Sequence, residues 1–142
     1  MKGLFAAGDL KDLNIDLFQK SFLNKSIFRI LLTEGRECTL CFSYFPEFSS
    51  GDKLVKSGMG SLCIFEESFL SGLLRKRVLE LPMFSPGTNK EYVLSEQDYE
   101  KASRLFLRVI QEQNSSYQYK FDLIRTYLIQ MLHLVMKEYF VG

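Results

Sequence analysis

Three cysteines and a single histidine are the residues of this chain best suited to chemistry. Cys38-Thr39-Leu40-Cys41 has the C-x-x-C spacing of a redox dithiol, and Cys63 with His133 adds the residue types of a zinc site with three thiolates and one imidazole. The surrounding pattern fits neither. A redox dithiol exposes its first cysteine at a helix N-terminus, whereas this motif lies in an apolar, β-rich run, where a spacing of three sends the two sulfurs to opposite faces. Zinc ligands usually arrive as two close pairs on tight turns, and only one close pair is present. The cysteines therefore read as small buried hydrophobes in a reducing compartment, and His133 as a packed residue with its polar edge at a boundary.

Carboxylates and glycines add little. Glu66 and Glu67 are adjacent, but general acid–base work needs one carboxyl buried and one solvated around a cleft, and neighbours at the start of a short helix more simply complement its dipole. There is no G-x-S-x-G and no phosphate-binding G-x-x-x-x-G-K-[ST]; the glycines from Gly51 to Gly60 read as turns. Arg75-Lys76-Arg77 reads as a solvated edge, and Asn24-Lys25-Ser26 and Asn114-Ser115-Ser116 carry no weight as glycosylation sites without an export signal. No catalytic, metal or cofactor-binding residue is expected.

The elements that would hold such groups are read from periodicity. Residues 1–26, with Leu10, Leu13, Leu17 and Phe18, predict a short amphipathic helix or a loose arm. Residues 27–32 and 38–45 predict a hairpin across the polar stretch 33–37, ended by Pro46. Leu54 and Val55 read as a brief strand, residues 57–60 as a turn and residues 61–65 as a buried strand. Residues 66–70 would open a short helix closed near Gly72, residues 73–81 are ambiguous, residues 83–88 are loop and residues 92–94 a last strand. Ser95 with Asp98 marks a helix start, and Ala102, Leu105, Phe106, Val109 and Ile110 give the helix over 95–113 its apolar face. Strands followed by an antiparallel helix pair make an α+β domain, divided into an arm (1–26), a β-rich region (27–94) and a two-helix segment (95–142).

The second helix, residues 117–140, is the strongest signal. Phe121, Ile124, Leu128, Met131, Leu132, Val135 and Tyr139 recur at three- and four-residue steps, and Leu123, Tyr127 and Leu134 lie off that face. Apolar residues in two directions predict one side toward the core and another toward a partner, giving a homodimer through this helix with Leu123, Tyr127, Met131 and Leu134 as interface residues. A central, wholly buried helix shows the same pattern. A membrane span here would carry Arg125, Lys137 and Glu138, each costing about 2.5–3.5 kcal/mol at mid-bilayer, so no membrane is expected.

With 142 residues, 46% hydrophobic and 25% charged, the chain has the composition of one globular domain. A net charge of +1 with interleaved signs argues against nucleic-acid binding by this chain alone, and the N-terminus lacks a secretory apolar run, so a cytoplasmic location is expected.

GSLCIFEESFL (residues 60–70), LPMFSPGTNKEYVLSEQDYEKASRLFLRVIQEQ (residues 81–113) and residues 117–140 together resemble the N-terminal regulatory domain of AraC-family transcription regulators. The resemblance covers the C-terminal three fifths of the chain. It implies a partial or complete cupin-like β-roll that senses a small effector, a helix pair that dimerises, and DNA binding by a separate helix-turn-helix module that these residues do not include. The His/Glu metal set of enzymatic cupins is missing, which fits a sensor rather than a small cupin-type enzyme. Phe42, Tyr44, Phe48 and Phe65 are the expected lining of an effector pocket, core packing being the commoner fate of such rings. A ligand-free structural or interaction domain is the alternative.

Overall fold

The computed structural model describes residues 3–55, 58–84 and 90–140. The turn expected at Ser57 and the loop expected over residues 85–88 lie outside the described residues.

The expected hairpin forms the middle of a sheet. Strand β2 (Ile27–Glu34) pairs antiparallel with β3 (Thr39–Phe45), from Ile27 opposite Phe45 to Thr33 opposite Thr39. On its other side β2 pairs with β4 (Met59–Glu66), with Phe28 opposite Phe65. Strand β1 (Phe5–Asp9) lies outside β4 and β5 (Lys90–Val93) outside β3, so the antiparallel order is β1-β4-β2-β3-β5. β-branched and aromatic residues give these segments a preference for extended backbone, but what decides their burial is that both faces of the sheet are covered. Residues 27–32 are therefore buried without a break instead of alternating in and out.

On one face Phe28, Ile30, Leu32, Leu40, Phe42, Cys63 and Phe65 meet a pair of helices. Helix α3 (Glu96–Gln113) starts where expected, with the Asp98 amide donating to Ser95 Oγ at 3.1 Å. Helix α4 (Lys120–Tyr139) returns antiparallel to it. At one end Lys120 Nζ donates to the Gln113 carbonyl at 3.2 Å, and at the other the Tyr139 hydroxyl donates to the Val93 carbonyl at 2.5 Å. The opposite face, with Ile27, Leu31, Cys41, Leu62 and Ile64, is covered by Phe22, Phe48 and Leu54 and by helix α1 (Ile15–Ser21) through Phe18 and Ile15.

Five local expectations are corrected. The N-terminal segment supplies an edge strand, β1, in addition to α1: Ala6 and Ala7 fit under the covering layers because they are small, and the Gln113 side chain caps the strand by accepting from the Ala7 amide (3.0 Å) and donating to its carbonyl (2.7 Å). Leu54 and Val55 form no strand; Leu54 is buried by its side chain while its amide donates to Gln19 Oε1 and its carbonyl accepts from Arg29. Met59 and Gly60, expected in a turn, begin β4, where Gly60 at φ +147° brings its backbone so close to β2 that a Cβ would lie 1.8 Å from the Leu32 carbonyl oxygen. Gly72 opens a helix, α2 (Gly72–Leu79), after a single 3-10 turn at Glu67–Phe69, and Met83 and Phe84, expected in a loop, are buried in a second such turn.

Candidate functional site

The four rings expected to line one pocket do not share a side of the sheet. Strand alternation points Phe42, Tyr44 and Phe65 toward the helix pair, whereas Phe48 packs on the opposite face. Phe42, Phe48 and Phe65 are buried, and Tyr44 is half-buried with its hydroxyl donating to Glu67 Oε2 at 2.9 Å. Burial, reinforced by this bond to an anion, pushes the Tyr44 phenol up to about 12.

These rings belong to two aromatic chains that end on α4. In the first, Phe28 stacks on Phe65 at 5.4 Å, Phe65 meets Phe69 at 5.7 Å and Phe69 meets Phe121 edge-on at 6.0 Å, in the first turn of α4. Arg125, one turn further on, lies 4.3 Å above the Phe69 ring, and its Nε donates to the Phe69 carbonyl at 2.7 Å. In the second chain Phe42 meets Tyr92 at 6.1 Å, and Tyr92 meets Tyr139 at 5.0 Å and Phe140 at 5.9 Å, at the far end of the same helix. Phe84 joins the chains, edge-on to both Phe28 and Phe42. Ring faces and edges carry opposite partial charges, so such contacts have preferred angles. Ring contacts thus run from the centre of the sheet to both ends of α4.

The residues expected at a dimer interface separate into two kinds. Met131 is fully buried in the core and is unavailable to any partner, because it lies on the sheet-facing stripe with Ile124, Leu128 and Val135. Leu123, Tyr127 and Leu134 are half-buried on the edge of α4, with Tyr127 and Leu134 also touching the core. Tyr119, 55% exposed, precedes them by one turn and extends their strip to i, i+4 and i+8 with Leu123 and Tyr127. The outermost strip of α4, through Asp122, Thr126, Gln130, His133 and Lys137, is polar and exposed, so the helix offers a partner an apolar edge and not a second apolar face.

The chemically tempting residues are dispersed. Cys41 and Cys63 point to opposite faces of the sheet, and burial pushes the Cys63 thiol far above its ordinary value, which leaves it protonated and inert. His133, expected to be packed with its polar edge at a boundary, is instead exposed on α4. Among the described residues no group of three or more His, Cys, Asp and Glu side chains comes together around a metal position. Glu66 and Glu67 accept hydrogen bonds from the Leu4 amide and from Tyr44. Arg75, Lys76 and Arg77 are exposed on α2.

Two features escaped sequence reasoning. Arg29, in the middle of β2, is buried, and its guanidinium donates to the carbonyls of Lys53 and Leu54, both at 3.0 Å, and to Ser43 Oγ at 2.6 Å. It ties the covering segment of the second face to β2 and β3; a lone Arg inside an apolar run was the available signal. The other is a groove between α3 and α4, lined by Lys101, Arg104, Arg108 and Lys137. Its cations are three and four residues apart and so escape a search for contiguous charge, but that spacing is the helical period.

No family model matches this chain, and no curated protein matches it. No helix of the described residues is long and apolar enough to cross a membrane.

Proposed function

We propose that this chain is the effector-sensing and self-pairing domain of an AraC-type transcription regulator, with no catalytic activity of its own. In this reading the antiparallel sheet and its covering segments form a partial cupin-like roll. The helix pair is the output surface, and DNA is contacted by a module outside these 142 residues. The protein works in the cytoplasm.

The observation that carries the reading is the anchoring of α4 at both ends by ring chains that start over the sheet, combined with the half-open edge at Tyr119, Leu123 and Tyr127. An effector acts on such a device by binding one packing of Phe42, Tyr44 and Phe65 better than another, because only a differential affinity shifts an equilibrium. The shift then alters how the α4 edges of two copies meet. Leu123→Glu tests the pairing. Leu123 is half-buried and outside the central core, so the variant keeps its fold, checked by circular dichroism. Light scattering is expected to give a dimer mass for the unmodified domain and a monomer mass for the variant. Equal masses for the two proteins would end the pairing claim.

The tight burial of Phe42, Phe48 and Phe65 favours a second reading, an interaction domain that binds no small molecule. A thermal-shift screen of sugars, organic acids and nucleotides separates the two, since a ligand at about a hundred times its Kd stabilises by about 2.7 kcal/mol. An inert screen would favour the second.

A further inference from the structure

Two halves of the helix pair differ in character. The half nearest the α3–α4 connection carries the apolar edge described above. The other half carries a groove of about 750 Å³ between the first turns of α3 and the last turns of α4. Lys101, Arg104 and Arg108 line it from α3 and Lys137 from α4, all four exposed. None of the four is ion-paired among the described residues, where the one ion pair is Arg125 with Asp122. Leu105 and Leu134 form its floor, and Asp98 and Glu138 stand at one end. Three cations at i, i+3 and i+7 on one helix set like charges side by side, and no ion pair answers them among the described residues.

We infer that this groove is a docking site for an acidic, amphipathic helical segment of a partner protein. From Lys101 to Arg108 is seven residues, about 10 Å of helix at the standard rise, which is two turns of an occupant with carboxylates at i, i+4 and i+7. The furrow between two antiparallel helices accepts a third helix side by side, and the leucine floor takes an apolar side chain between the carboxylates. A nucleic-acid backbone matches the cations but has no apolar side chain to set on Leu105 and Leu134. A second copy of this chain presents the same cations and is repelled. Docking here is independent of self-pairing through Leu123.

The probe is a fluorescein-labelled helical peptide with Glu at i, i+4 and i+7 and Leu between, followed by anisotropy against the whole 142-residue chain. Saturable binding is expected, at least about tenfold weaker for the same peptide with Gln in place of Glu. It is expected to weaken by a similar factor in the double variant Arg104→Glu, Arg108→Glu, whose exposed positions leave the fold unchanged by circular dichroism. Binding should persist in Leu123→Glu and in Arg75→Glu, Arg77→Glu, where the reversed charges lie on α2. The inference is overturned by failure of the Glu peptide to bind, by equal losses in the α2 and α3 variants, or by an oligonucleotide of matched charge binding more tightly than the peptide.

Discussion

Phe69 is the ring through which the sheet holds the start of α4, and replacing it tests whether that anchor is real. Its side chain is fully buried, with ring centroids at 4.9 Å from Phe5, 5.7 Å from Phe65 and 6.0 Å from Phe121, and the Arg125 guanidinium 4.3 Å above it. Phe69→Leu keeps an apolar side chain in the site and the backbone bond from Arg125, so what it removes is chiefly the ring contacts. Aromatic pairs contribute about 0.5–1.5 kcal/mol each and a partly desolvated cation–π contact about 1–2 kcal/mol. Because all four share one ring they do not add, and a total of about 2–3 kcal/mol is expected. Phe69→Ala adds a cavity and is expected to cost about 3–5 kcal/mol, a large part of the stability of a typical domain. Urea unfolding reads the loss as a lower midpoint at unchanged slope. Hydrogen exchange supplies the local readout: amides over residues 121–128 should lose protection ahead of those in α3, which is held by Val109 and Phe106 instead. A midpoint for Phe69→Leu corresponding to less than about 0.5 kcal/mol, or protection lost evenly over both helices, would refute the anchoring argument.

Two further outcomes follow from single residues. Gly60→Ala forces a Cβ onto the Leu32 carbonyl at a positive φ, so the β2–β4 ladder must shift, and denaturant titration should show a loss of about 3 kcal/mol; a loss below about 1 kcal/mol would show that the close approach is relaxed in solution. The Tyr44 phenol, raised to about 12 by burial and by its bond to Glu67, and the Tyr99 phenol, raised to about 12 by its bond to Glu34 and by burial, both stay neutral in the fold beyond their unfolded pKa of about 10. Their stabilising contribution is fully present below pH of about 10 and is lost as pH rises through about 12. Thermal melts at increasing pH should therefore fall more steeply for the unmodified protein than for the Tyr44→Phe, Tyr99→Phe double variant, and parallel slopes would contradict the assignment.

What could be read from the residues follows from how local the cause is. The β2–β3 hairpin and the start of α3 at Ser95 depend on turn and cap chemistry within a few residues, and both stand where periodicity places them. Strand β1 was invisible because Phe5-Ala6-Ala7-Gly8 has no strand preference of its own; its pairing with β4, more than fifty residues away, and the Gln113 cap make it a strand. Leu54 misled in the opposite sense, since an apolar residue can be buried as a plug with its backbone satisfied by Arg29 and Gln19 and no ladder at all. The expected grouping of four rings breaks only at Phe48, which follows Pro46 and returns under the other face of the sheet, a reversal that alternation within a strand cannot report.

The pattern of α4 shows how an amphipathic reading can find the apolar residues and misplace them. Leu123, Tyr127 and Leu134 are off the sheet-facing stripe, but they are half-buried and the strip beyond them is polar, so no separate apolar back is left. A helix hairpin lying on a sheet needs such edge residues to close the furrow between its two members. Leu123 and Tyr127 are half-buried and Tyr119 is exposed, so the apolar edge needs Tyr119 as well to suit a second copy under the proposed pairing. Near Leu134 the furrow between α3 and α4 is open and rimmed by Lys101, Arg104 and Arg108, whose like charges would disfavour a second copy there. Under the two proposals the helix pair separates self-association from hetero-association along its length, and Leu123→Glu and Arg104→Glu should disable one each without the other.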